Sequence, residues 1–146
     1  MVKIYTDGSC IGNPGKGGWA AIIIDNNKKK IISGSEKHTT NNRMELIAVI
    51  KALKHVNKSQ IIIITDSKYV KNGIEVWINK WKNNGWMTAE KKPVKNKDLW
   101  LTLDKLEKKK KIKWEWVKGH SSNIYNNKAD EIARNEANSI LFDEKI

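Results

Sequence analysis

Four consecutive isoleucines, Ile61 to Ile64, restrict this chain more than any other feature. Side chains alternate along a strand, so a continuous β-branched apolar run sends two residues to each face and needs cover on both. Ile61–Ile64 therefore reads as a central strand inside a sheet, with Thr65 and Asp66 at its end.

The pattern around that strand supplies the cover. Val2, Ile4 and Thr6 alternate with Lys3, Tyr5 and Asp7, the period-two pattern of a first strand. A Gly-rich bend, Gly12 to Gly18, leads into a second strand from Trp19 to Ile24. Asp25 to Lys28 reads as a turn, with a third strand from about Lys30 to His38. The short links predict an antiparallel meander. The period then changes: Met44, Ile47, Ala48, Ile50 and Leu53 recur at helical spacing between about Arg43 and Val56, after capping candidates Thr39 to Asn42. Beyond the isoleucine strand come a helical stretch from Ser67 toward Trp81, broken near Gly73, and another from Asp98 to about Lys109. A strand from Ile112 to Val117 and a helix from Asn127 to about Ile140 complete the order. The prediction is an α/β fold, a mixed sheet flanked by helices.

At 146 residues the chain suits one domain, 1–146, large enough to bury a core without a metal or disulfide staple. Its single cysteine, Cys10, cannot form an intramolecular disulfide, which suits a reducing compartment. No leader pattern opens the sequence and its longest apolar run is far too short to span a bilayer, so no membrane partner is expected. The formal net charge is +12. Of the 28 basic residues all but Arg43 and Arg134 are Lys, and Ile and Asn are also abundant, so an A/T-rich coding bias explains part of that charge. The remainder favours polyanions, nucleic acid first among them.

Four acids occupy positions a fold does not spend casually. Asp7 lies inside the first strand among apolar neighbours, although Asp is depleted in strands. Glu45 lies in the first turns of a helix between Met44 and Leu46. Asp66 ends the isoleucine strand, where open α/β sheets carry their chemistry, and Asp130 opens the last helix. Helix capping is the alternative for Asp66 and Asp130. If the first, isoleucine and last strands are neighbours, the four carboxylates converge, and convergent carboxylates stay ionised only beside a cation. Oxygen donors without a His–Cys cluster point to Mg²⁺, with Mn²⁺ as substitute.

Three further features bear on function. Gly12 to Gly18 matches neither phosphate-loop nor dinucleotide fingerprint and leads into a strand, so it reads as a tight turn permitting close approach. Trp77, Trp81, Trp86 and Trp100 interleave with Lys80, Lys82, Lys91, Lys92, Lys95 and Lys97. Packing within a helical projection accounts best for Trp81, yet a Lys-studded segment retaining several Trp suits a stacking, backbone-gripping surface. His120 follows Gly119 in a polar loop, where a proton shuttle near carboxylates would sit.

Tyr5-Thr6-Asp7-Gly8-Ser9-Cys10 with Gly12-Asn13-Pro14-Gly15, Thr40-Asn41-Asn42-Arg43-Met44-Glu45, Thr65-Asp66-Ser67, and Lys118-Gly119-His120 with Asn126 and Asp130 together resemble bacterial ribonuclease HI over nearly the whole chain. The segment of about 77–97 resembles that family's basic protrusion. The resemblance implies five strands, the first three antiparallel, and endonucleolytic hydrolysis of the RNA strand of RNA–DNA hybrids, leaving 5′-phosphate and 3′-hydroxyl ends. It implies catalytic roles for Asp7, Glu45, Asp66, His120 and Asp130, the four carboxylates as metal ligands and His120 assisting product release. It implies hybrid contacts at Asn13, Thr40, Asn41, Asn42 and Asn126. On the protrusion, Trp77, Trp81, Lys82, Trp86, Lys91 and Lys92 are the expected contacts.

Two departures from the family pattern stand out. Lys68 replaces the Gln of many relatives, and Ser121 to Tyr125 lacks the usual Gly and second His. A DNA-processing enzyme on the same scaffold is disfavoured by the protrusion and the Gly12–Gly15 turn. A non-catalytic hybrid-binding module is disfavoured by retention of all four acids. The expected protein is a cytoplasmic monomer with an RNA–DNA hybrid as partner and no obligate protein partner.

Overall fold

The computed structural model describes residues 1–118 and 123–143. Strands β1 (Val2–Ile11), β2 (Gly15–Asp25) and β3 (Lys28–Thr39) form the expected antiparallel meander. Helix α1 (Asn41–His55) leads to β4 (Gln60–Thr65), and α2 (Lys68–Asn72), a π-helical turn (Gly73–Trp77), α3 (Ile78–Asn83) and α4 (Lys97–Lys108) lead to β5 (Lys111–Trp116) and α5 (Ile124–Asp143). The five strands lie in the order β3-β2-β1-β4-β5, with β4 parallel to both β1 and β5.

The isoleucine run does what its composition demands. Ile61 and Ile63 join Val2, Ile4, Leu46, Leu53, Trp100 and Leu103 in the core between the sheet and helices α1 and α4. Ile62 and Ile64 face the opposite side, packing with Tyr5, Ile22 and Ala129 beneath α5. Burying a side chain of this size is worth about 1.5–3 kcal/mol, so the strand is held from both faces.

Several boundaries differ from the periodicity. Strand β2 begins at Gly15 rather than Trp19, because the glycines belong to the sheet rather than to a bend. Gly18 lies directly beneath α5, where a Cβ would collide with the Ala133 carbonyl oxygen, and Ala129, Ala133 and Ala137 continue the close seam. The break near Gly73 proves to be a widened turn joining α2 to α3, and the Trp100 indole fills the space a Gly73 side chain would need. Helix α5 starts at Ile124, with Asn123 Oδ1 accepting from the Asn126 N–H at 2.9 Å. Asp130 consequently sits in the second turn instead of opening the helix.

Candidate active site

Strand register and helix capping together deliver three acids to one place. In the parallel pair, Tyr5 is level with Ile64, so two residues on, Asp7 comes level with Asp66. Asp66 does not cap the following helix: that falls to Ser67, whose Oγ accepts from the Val70 N–H at 3.2 Å, while Thr65 Oγ1 accepts from the Ser67 N–H at 3.1 Å and tightens the turn. Glu45 arrives from above. Thr40 caps α1, its Oγ1 accepting from the Arg43 N–H at 3.2 Å, which sets the helix's start and hence the rotation that turns Glu45 toward β1. Gly8 lets the helix come down. A Cβ there would lie 2.5 Å from the Glu45 nitrogen and from the Met44 carbonyl carbon, closer than packed atoms tolerate.

Each of Asp7, Glu45 and Asp66 offers a carboxylate oxygen, and these oxygens all lie within 4.8 Å of one another. Asp7 and Glu45 are each only 6% exposed. Burial, then the charge of Asp66, with smaller contributions from a hydrogen bond with Asp130 and that residue's charge, pushes Asp7 from 3.8 up to about 8 against a lowering bond with Glu45. Burial likewise drives Glu45 well above the ordinary carboxylate range, reinforced by Asp7 and Asp66. The Asp7 Oδ1 accepts from the Gly8 N–H at 3.0 Å, whereas Glu45 Oε1 is buried with no hydrogen-bond partner among the described residues. Repelling hard-oxygen donors, one of them buried and unsatisfied, fit a divalent cation of the Mg²⁺ class, and without one the repulsion is relieved by retained protons.

Asp130 stands one step outside this trio. It lines the same cavity, about 360 Å³ in volume, and its Oδ2 accepts from Arg134 Nε at 3.1 Å one helical turn along. Asn41, Asn42 and Asn126, expected to contact a hybrid, line this cavity. Asn126 is 2% exposed, with a buried Oδ1 that has no partner among the described residues. Asn13 and Thr40 act as braces. The Asn13 Oδ1 accepts from the Asn41 N–H at 3.0 Å, tying the β1–β2 turn to the start of α1, and Thr40 caps that helix.

The protrusion is held together by its own aromatic rings, as the packing account of Trp81 requires. Trp77, Trp81 and Trp86 are half-buried and chained to one another, with ring centroids 5.9 and 5.8 Å apart, and Trp81 also meets Trp100 at 5.6 Å. These rings pack against the α1–α4 core. Lys82 is tied to Asp104 at 2.9 Å. Lys91 and Lys92 are exposed, Lys92 reaching Glu90 only at 3.9 Å. His120 lies outside the described residues. Sequence reasoning overlooked Tyr69 and Asn127, which also line the cavity; the Asn126-Asn127 pair on one side of α5 was the available signal.

A mixed β3-β2-β1-β4-β5 sheet flanked by helices, with a carboxylate trio from β1, α1 and the end of β4, two of the three buried, defines an α/β fold with an acidic cleft. The sequence profile described as RNase H matches residues 1–138, and the chain belongs to the ribonuclease H family. It is 57% identical over 136 residues to the ribonuclease H of Ehrlichia ruminantium (strain Gardel), covering 92% of this chain and 93% of that one. Among solved structures it is similar to LC9-RNase H1, described as a type 1 RNase H with the type 2 active-site motif, with a TM-score of 0.83 and 28% identity over 94% of this chain and 72% of that one. It is also similar to the foamy viral protease-reverse transcriptase in complex with RNA/DNA hybrid, with a TM-score of 0.75 and 26% identity over 94% of this chain and 20% of that one. The chain is accordingly an enzyme of the ribonuclease H family.

Proposed function

We propose that the chain hydrolyses the RNA strand of RNA–DNA hybrids by divalent-metal-dependent phosphodiester cleavage, leaving 5′-phosphate and 3′-hydroxyl ends. The observation that carries this is the trio Asp7, Glu45 and Asp66, whose oxygens lie within 4.8 Å of one another in a member of the ribonuclease H family. A hybrid bound to the similar viral enzyme supports the substrate.

Asp7, Glu45 and Asp66 would hold Mg²⁺ (or Mn²⁺), with Asp130 beside them, and a cation bound there supplies an activated water and charge stabilisation at the phosphate. The chain's own residues do the rest. The neutral amides of Asn41 and Asn42 ring the acidic floor, so they can meet phosphate and ribose oxygens without adding repulsion. Asn126 lines the same cleft, and a ribose hydroxyl, the group that separates RNA from DNA, is the donor proposed to meet its amide. Asp130, bonded to Asp7 and braced by Arg134, restrains the Asp7 carboxyl. His120, outside the described residues, is the group assigned here to ease product departure. Exposed Lys91 and Lys92 suit phosphates of the hybrid outside the cleft. Trp77, Trp81 and Trp86 act mainly by stiffening the protrusion that carries those lysines.

A monomeric, cytoplasmic enzyme acting as one catalytic domain belongs to the same proposal; among the described residues no helix is long and apolar enough to cross a membrane. The test is direct. Labelled RNA–DNA hybrid, duplex RNA and duplex DNA are incubated with the protein, with and without Mg²⁺. Cleavage confined to the RNA of the hybrid, and only with Mg²⁺, is expected; equal cleavage of duplex DNA refutes the reading. Sedimentation velocity checks the monomer.

A further inference from the structure

A second cavity, about 410 Å³, opens beside the first and shares Asp66, Ser67 and Lys68 with it. Its other walls come from Lys71 on α2 and from Trp116, Val117 and Lys118 at the end of β5. The sheet order explains its place. Along the strand ends, Asp7 stands on β1 and Asp66 follows β4, and the next position outward is the end of β5. The groove therefore continues the carboxylate cleft on the side away from Asn41 and Asn42.

Its chemistry is unlike that of the cleft. Trp116 and Val117 give it an apolar floor, and Trp116 is held flat against Trp114, with centroids 5.5 Å apart and planes within 10°. Around that floor stand three lysines. Lys68 and Lys118 are exposed and Lys71 half-buried. None of the three makes an ion pair among the described residues, whereas Lys58, Lys82, Lys108 and Lys128 are each matched to a carboxylate. An apolar floor bordered by unmatched ammonium groups complements a nucleotide: sugar and base against the indole, phosphates on the lysines.

We propose that this groove is a subsite for the hydrolysed strand on one side of the scissile phosphate, with Lys68, Lys71 and Lys118 holding its backbone phosphates and Trp116 its sugar and base. This rests on the nuclease reading above and adds the path of the strand. It also gives Lys68 a role of its own: an ammonium in place of an amide exchanges base-edge hydrogen bonding for phosphate binding.

The experiment replaces single phosphates by uncharged methylphosphonates at successive RNA linkages of a hybrid. KM is measured for the wild-type protein and for the Lys68→Gln/Lys71→Gln/Lys118→Gln variant across a salt series with Mg²⁺. In the wild type, neutral linkages at adjacent positions on one side of the cut are expected to raise KM. In the variant KM starts roughly tenfold higher, its salt slope is flatter by about 0.7–0.9 per lost contact, and those same linkages cause no further loss. Equal sensitivity of both proteins to every neutral linkage overturns the subsite. Failure of the wild type to cut any hybrid overturns the nuclease reading instead. If circular dichroism shows the triple variant unfolded, Lys118→Gln alone, at an exposed position, carries the same comparison.

Discussion

Replacing Asp7 by Asn separates what the acidic site costs the fold from what it gives the reaction. The amide keeps the size of the side chain and an Oδ1 that can still accept from the Gly8 N–H. It removes one charge from a trio whose oxygens lie within 4.8 Å. In the metal-free protein Asp7 titrates at about 8 instead of 3.8, so the folded state binds its proton more tightly than the unfolded chain does. Folding stability with EDTA present should then fall as pH rises from about 4 toward 8 and level off above it. Each tenfold change in proton affinity corresponds to about 1.4 kcal/mol, giving a ceiling of ~6 kcal/mol; relaxation and water entry at the cavity mouth leave about 1–3 kcal/mol. Asn carries no such titration and also relieves Glu45. Urea unfolding followed by tryptophan fluorescence, in EDTA, should show Asp7→Asn gaining little at pH 5 and about 1–3 kcal/mol at pH 8.5. Saturating Mg²⁺ should narrow that gap by stabilising the wild type alone, by ~2.7 kcal/mol at one hundred times Kd. Turnover on the hybrid should fall at least about 1000-fold. An Asn variant no more stable than wild type at pH 8.5, or a gap that ignores pH, refutes the reasoning.

Gly8→Ala drives a methyl group into the α1 backbone at Met44 and Glu45 and should cost about 1–3 kcal/mol while displacing Glu45 and lowering kcat; wild-type thermal unfolding and turnover would contradict this. His120→Ala should depress the steady-state rate more than the single-turnover rate, as expected of a residue that helps product leave; rapid-quench kinetics distinguish this from complete loss in both. Replacing Lys91, Lys92 and Lys95 by Gln should raise KM and flatten its salt dependence with little change in kcat, and an unchanged salt slope would assign these lysines to a merely solvated surface. Lys82→Gln should act instead on stability, by less than ~1 kcal/mol through the lost Asp104 pair, read from urea midpoints.

The central strand was legible because four adjacent isoleucines admit one environment, and Asp7 because an acid inside an apolar strand admits few. Strand β2 was misjudged at its start for the converse reason. Gly15, Gly17 and Gly18 carry no side chain to show a period, and what Gly17 and Gly18 answer to, Met44 of α1 and the backbone of α5, is remote in sequence. The bracing bonds of Asn13 and Thr40 at the start of α1 were hidden in the same way, since a sequence shows a polar side chain and not the N–H that it accepts from. The pairing of Lys82 with Asp104, 22 positions away, could not be read from the sequence, since only the fold brings the two together. The subsequence Trp77 to Trp86 displayed its aromatic character plainly; that the rings would face one another depended on the widened turn at Gly73.

The carboxylate trio sits where the fold can tolerate it. Asp7, Glu45 and Asp66 come from a strand, a helix and a strand end, so no local rearrangement of one segment relieves their repulsion. Separating them would require β1 to slip against β4, which exposes Ile61 and Ile63, or α1 to lift, which exposes Leu46, Val49 and Leu53, all at most 1% exposed. At about 1.5–3 kcal/mol for each large side chain, either movement costs more than the few kcal/mol the repulsion can supply. The cheaper responses are to retain protons or to take up a divalent cation, and only the second leaves the oxygens able to act on a phosphate. The two-sided isoleucine strand that dictates the fold thus also holds the acids in a state that a cation relieves.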